Sequence, residues 1–468
     1  MRAAHLPTLL DSVRRIAPLA WPVFIGQVAV LAFATIDTIL AARYGALDLA
    51  ALAIGAAVYV TVFISMMGVV LAVGPITGQL LGAGKTHECG RQLHQAMWLA
   101  LALSVAGCAL LLSPQPFLDF ARTGPDVSAK VRGYLTALAF ALPPALLFTA
   151  FRGFNTAMSR PKIVMVLQLG ALALKVPLSA LLVFGFVGST PLGELRIAAQ
   201  GAPGCGVATA IVMSGQMLVA WLVLRHDSFY ARFGLGRGFH APHRASLLTQ
   251  LRLGIPMGLS IAIEVTGFTF MAFFISRLGP TPVGGHQIAA NMVAMMFMMP
   301  LAIAHATSTL VAQSVGAGDP GDARRLGWHG LQVGVLIAAL LGAAVYALRA
   351  PLLRLYTQDP VIVGAALPLL AWVAVFHVAD AAQTVVAFVL RAYHVAVAPL
   401  VIYAVAVWGI GLGGGYLLAF NRTGWSPPAL QGATGFWSAA TLGLAVAATG
   451  MSLFLIWMLE QKRPRRTT

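Results

Sequence analysis

Twelve runs of apolar residues, each long enough to cross a bilayer as a helix, follow one another at about 16–42, 49–76, 95–113, 132–151, 163–187, 204–224, 253–276, 285–312, 328–348, 362–390, 397–420 and 434–459. A helix rises 1.5 Å per residue, so roughly 20 residues span a hydrocarbon core ~30 Å thick. The alternating segments of about ten residues that mark a membrane β-barrel are not seen. Only 9% of the residues are charged, too few to cover the surface of a soluble protein of 468 residues. The expected fold is an all-α membrane protein.

The first run is too long for a signal-peptide core and has no suitably placed cleavage site, so it reads as a retained helix. Cys89, Cys108 and Cys205 show neither metal-binding spacing nor a disulfide pattern and read as packing residues. The net charge of +16 raises the question of nucleic acid, but the basic residues fall mostly in loops, which argues against such a partner. If the N-terminus is cytoplasmic, the inside loops hold most of the 30 Lys and Arg, among them Arg14, Arg15, Arg160, Lys162, Arg225 and Arg391. Both termini are therefore expected in the cytoplasm, with the tail "EQKRPRRTT" as a stop signal.

The longest hydrophilic stretch, residues 225–252, separates six spans from six. The halves resemble each other: "LAWP" matches "LGIP", and "GQLLGAGKTHECGRQL" matches "AQSVGAGDPGDARRLG". Pro22 to Pro256, Arg43 to Arg277 and Gly84 to Gly318 share one offset of 234. Six helices is an even number, so the two repeats are parallel. Two bundles with a central cavity and alternating access follow. The expected organisation is an N-lobe over 1–224, a cytoplasmic linker over 225–252 and a C-lobe over 253–468.

Of the 14 acids, three lie well inside spans: Asp37, Glu264 and Asp380. A carboxylate there costs about 2.5–3.5 kcal/mol even on the lenient insertion scale, so it has to pair, bind a cation, take a proton or face water. Lys175, the one basic residue deep in a span, is a candidate partner for Asp37 in the same half, or else it snorkels to the surface. The second half shows no such lysine, which leaves Glu264 and Asp380 as a candidate Na⁺ or H⁺ site. Gln27, Asn291, His377 and Gln383 are candidates for modulating or lining the cavity. His305 and the methionines of "NMVAMMFMMP" read mainly as packing groups. No GxxxxGK[ST] loop, Ser/His/Asp order or HExxH helix is present, so the chain is not expected to be an enzyme.

"PLAWPVFIGQVAVLAFATIDTILAARYG", "GGHQIAANMVAMMFMMPLAIAHATSTLVAQSVGAGD", "FRGFNTAMSRPK" and "LRAYHVAVAP" resemble stretches of the multidrug and toxic compound extrusion (MATE) family, in its NorM-like branch. The resemblance covers all twelve spans. It implies a monomeric antiporter of a bacterial-type inner membrane, which exports cationic or amphipathic drugs and dyes in exchange for Na⁺ or H⁺ and needs no other cofactor. It also implies cation-coupling roles for Asp37, Glu264 and Asp380. One departure is Lys175, where NorM-like chains usually carry a neutral polar residue; such a lysine would silence ion coupling in the first half. A lipid-linked oligosaccharide flippase is the competing reading, but flippases line their cavity with several basic residues and this chain puts acids there.

Overall fold

Each apolar run is carried by one long helical span in the computed structural model, which describes residues 8–121, 124–190, 193–235, 238–422 and 424–461. The helices are α1 (Leu9–Tyr44), α2 (Ala46–Gly82), α3 (Thr86–Leu112), α4 (Pro125–Ala157), α5 (Pro161–Phe184), α6 (Ala202–His226), α7 (Arg244–Ser276), α8 (Pro280–Gly316), α9 (Pro320–Ala347), α10 (Pro360–Ala392), α11 (Val397–Ala419) and α12 (Ala433–Gln461). All twelve are long and apolar enough to span a membrane. Residues 462–468 of the basic tail lie outside the described part.

The starts of the helices are written in the sequence. Pro125, Pro161, Pro280, Pro320 and Pro360 each open a helix, where the missing N–H costs nothing. Asp319 and Asp359 cap α9 and α10, accepting from the Asp322 and Val361 amides at 2.8 Å each. The fifth apolar run overshoots its helix. α5 stops at Phe184 because Gly185 turns into the left-handed region at φ 76°, and the chain continues as β1 (Phe186–Thr190) paired antiparallel with β2 (Gly193–Ile197).

The chain forms two compact units, Ile25–Gly258 and the residues up to Phe24 together with those from Leu259 onward. The division falls inside α1 and inside α7, not at the linker, and its two points are again 234 residues apart. The start of α1 thus packs with the second repeat: Ile16 and Ala20 join its core, and Arg15 pairs with Asp322 of α9 at 2.9 Å. The start of α7 packs with the first repeat. A Cβ at Gly254 would stand 2.4 Å from the Val69 carbonyl oxygen, and one at Gly258 would stand 2.6 Å from that of Ser65, so both positions require glycine.

Packing repeats along with the sequence. In the first unit α4 contacts α2, α3, α5 and α6, and α5 contacts α6. In the second, α10 contacts α8, α9 and α12, and α12 contacts α11. Each unit has its own apolar core.

Candidate cation sites

The second unit holds a pocket of about 490 Å³ into which α7 carries Glu264 and α10 carries Asp380. Its other walls are mainly apolar and include four aromatic rings, those of Phe268, Phe376, Tyr403 and Phe436. The Phe268 and Phe376 rings meet edge to face at 5.9 Å, and Trp437 stands behind Phe376 at 5.4 Å. Gln383, one turn after Asp380, donates to Asp380 Oδ1 at 3.3 Å and to the Thr384 hydroxyl at 3.0 Å. Over Val405–Gly414, α11 opens into a π-helix, and this segment presents Val407, Gly411 and Leu412 to the pocket. Wide turns of this type are frequent at functional sites.

The absence of a fixed cation near these acids, expected from the sequence, is corrected by Arg391. Hydropathy placed it in a loop, but it is buried in the last turn of α10, over the Phe388 ring at 4.5 Å, and its charge acts on Glu264 and Tyr403. With both acids ionised the pocket carries two negative charges, and Arg391, which is not among its lining residues, offsets them only at a distance. The pocket's aromatic faces add cation–π attraction, worth about 0.5–2 kcal/mol per well-placed ring. Among the described residues no three His, Cys, Asp or Glu side chains stand together as a metal centre.

The first unit holds Asp37, the third acid that lies inside a span. Lys175 Nζ lies 2.9 Å from Asp37 Oδ2 and also donates to the Cys205 carbonyl at 3.2 Å and to the Thr209 hydroxyl. Ser179 donates to Asp37 Oδ1 at 3.3 Å. Lys175 is 0% exposed and Asp37 7%. The pairing expectation is met, and the snorkelling alternative is excluded by this burial.

The remaining sequence candidates divide. Gln383 touches Asp380, as described above. His377 is buried one turn before Asp380, does not line the pocket, and has no hydrogen-bond partner for either ring nitrogen among the described residues. Asn291 is exposed and accepts from the Tyr356 hydroxyl at 2.9 Å, away from the pocket. Gln27 is half-buried and belongs to the other unit. His305 packs edge-on against Phe388 at 4.7 Å, which fits its packing role. Tyr403, Arg391 and the phenylalanines were not singled out from sequence. Tyr403 and Arg391 are polar groups at the flanks of apolar runs, which is a weak signal. Single phenylalanines in such runs give none.

A duplicated bundle of twelve membrane-spanning helices with carboxylates buried inside it is the build of a membrane transporter. Known proteins place it further. The MatE family description matches residues 22–181 and again 256–417, once in each repeat, and the chain belongs to this family. It is 38% identical over 450 residues to a probable multidrug resistance protein NorM of Aromatoleum aromaticum, covering 95% of this chain and 94% of that one. It is 34% identical over 443 residues to the multidrug resistance protein NorM of Vibrio cholerae, covering 95% of each. Among solved structures, the eukaryotic MATE transporter AtDTX14 superposes with a TM-score of 0.85 at 18% identity, over 96% of both chains. The Vibrio cholerae MATE transporter VcmN in its bent form gives 0.84 at 16% identity, over 97% of this chain and 98% of that one.

Proposed function

We propose that this chain is a secondary active multidrug efflux antiporter. It exports cationic or amphipathic organic compounds in exchange for Na⁺ or H⁺, and Glu264 and Asp380 are its coupling groups. The observation that carries this reading is the convergence of two carboxylates from different helices on one aromatic-lined pocket, in a chain whose relatives bear the name multidrug resistance protein.

The chemistry follows from charge. Buried carboxylates are costly to leave ionised and unpaired, so some positive charge has to accompany them. An organic cation satisfies both acids and stacks on Phe268, Phe376 or Tyr403. Na⁺ or H⁺ satisfies the acids alone. A site that holds either occupant but not both exchanges one for the other as it faces alternate sides of the membrane. Arg391 keeps Glu264 partly compensated when the organic cation has left. The protein works as a monomer in a bacterial inner membrane, with both termini in the cytoplasm and the basic loops on that side.

The test is ethidium or norfloxacin efflux from cells expressing the chain, under an imposed Na⁺ gradient and, separately, an imposed pH gradient. Acceleration by Na⁺ alone assigns a sodium-coupled antiporter, and acceleration by pH alone a proton-coupled one. No efflux under either gradient overturns the proposal and favours the flippase reading.

A further inference from the structure

We infer that the oxygen cage around Asp37 is a monovalent-cation site whose permanent occupant is the protein's own Lys175 ammonium, so that the first unit is withheld from ion exchange. The cage is assembled from three helices. α1 gives the Asp37 carboxylate, α5 gives the Ser179 hydroxyl, and α6 gives the Cys205 carbonyl and the Thr209 hydroxyl. These are hard oxygen donors with one formal negative charge among them, which suits a small singly charged cation. The Cys205 thiol lies beside Asp37, 4.0 Å from its backbone carbonyl, and adds no oxygen to the cage.

Lys175 fills that position completely. An ammonium has three N–H donors, and here each has an oxygen: Asp37 Oδ2, the Cys205 carbonyl and the Thr209 hydroxyl. The second oxygen of Asp37 is taken by Ser179. No donor or charge is left over for a mobile ion to satisfy. A coupling ion has to arrive and leave, whereas Lys175 is covalently tethered to α5 and fully buried. Its withdrawal would strand two uncompensated charges in an apolar interior. The other titratable groups around Asp37 do not supply a substitute. Tyr134 and the Cys205 thiol carry no positive charge, and Asp48, next in range of Cys205, is already paired with Lys130 at 2.9 Å. Lys175 is therefore a specificity-determining residue: it leaves ion exchange to Glu264 and Asp380. That consequence for transport rests on the function proposed above. The identity of the cage occupant does not.

The experiment reads binding instead of transport, so a failure of the antiporter reading leaves it intact. The full-length protein is purified with Glu264→Gln and Asp380→Asn, which removes the carboxylates of the other pocket. In this background we expect no saturable ²²Na⁺ binding and the same Tm in NaCl, LiCl and choline chloride. Adding Lys175→Ala should create about one ²²Na⁺ site per chain, with a Tm that rises in Na⁺ or Li⁺ but not in choline. Adding Asp37→Asn to that variant should abolish both effects. Lys175→Met, which keeps the bulk of the stem without its charge, should bind no Na⁺. If Lys175→Ala folds poorly, its purification yield is compared in Na⁺ and choline, and recovery in Na⁺ alone carries the same meaning. Asp37-dependent ²²Na⁺ binding with Lys175 intact would show that the lysine is no permanent occupant. A Lys175→Ala protein indifferent to Na⁺ and Li⁺ in binding, Tm and yield would reduce the cluster to an ion pair. Either result overturns the inference.

Discussion

Ser12 and Ser246 stand at matching places in the two repeats, 234 residues apart, and each is tied to the third helix of the opposite repeat. Ser12 shares a hydrogen bond of 2.6 Å with His329 of α9, and Ser246 accepts one of 3.3 Å from Gln92 of α3. The same exchange appears in the apolar contacts of the two helix starts and in the glycines of α7. One sequence device, used twice, gives each compact unit the first turns of a helix that belongs mostly to the other unit.

The glycines make this exchange testable. Gly254→Val places a Cβ against the Val69 carbonyl oxygen, a backbone atom with no freedom to rotate away. Overpacking of this kind costs about 1–3 kcal/mol. The variant is expected to lose several degrees of Tm in detergent. Gly364→Ala on α10, where nothing stands within 4 Å, should be neutral or slightly stabilising. Equal melting of the two variants would show that the α2–α7 contact is not close.

Neutralising the pocket acids separates their role from that of Asp37. Glu264→Gln and Asp380→Asn should each lower gradient-driven ethidium efflux by at least about tenfold, which is roughly 1.4 kcal/mol of lost coupling or binding. The paired replacement Asp37→Asn with Lys175→Met removes both charges of the other cluster together and leaves no stranded ion. It should retain most of the efflux and its ion dependence. If the double variant instead loses ion dependence while Glu264→Gln keeps it, coupling resides at Asp37.

At the C-terminal end of α6, Asp227 provides a pH test. It accepts from the Phe229 amide at 2.9 Å and from Arg160 at 2.8 Å, and these bonds hold its carboxyl below the ordinary range, the amide contributing most. A carboxyl lowered on folding stabilises the protein above its unfolded pKa of about 3.9, and that contribution is lost as pH falls through the folded value. The group is largely solvated, so the effect is small. Asp227→Asn should lower Tm slightly at pH 7, and its difference from the parent should shrink as the pH falls below the ordinary carboxylate range. A difference that persists undiminished at pH 3 would exclude the charge as its cause.

How far the sequence reached depends on the kind of signal. The twelve helices and the repeat were legible because apolar length and a constant offset are properties of the chain itself. The Asp37–Lys175 pair was legible because two opposite charges in apolar runs of the same half have few other partners. The place of Arg391 was not, because a residue at the end of an apolar run reads as a loop residue, and only packing shows that α10 buries its last turn. The exchange of helix starts was also hidden. Residues 9–24 look like the ordinary beginning of a span, and which core they join is decided by long-range contacts with α9. Whether Asn291 and Gln27 face a cavity was not legible for a related reason: polarity inside a span does not reveal which face of the helix meets it.

Tyr403 gives the finest test of the pocket. It is 5% exposed and lines the cavity near both acids. Its hydroxyl makes no hydrogen bond to another described residue, so a bound cation or its hydration water is the natural partner. Removing a hydroxyl that serves only the ligand leaves the folded protein unchanged and weakens binding by about 0.5–1.5 kcal/mol, a factor of roughly 2 to 10. Tyr403→Phe keeps the ring and therefore its cation–π face. The variant is expected to melt with the parent and to raise the KM for ethidium or for the coupling ion within that range. Tyr403→Leu removes the ring as well and should raise the ethidium KM further. A Tyr403→Phe protein with parental KM for both would mean that the hydroxyl faces neither occupant. A lowered Tm would mean that it has a structural partner inside the bundle.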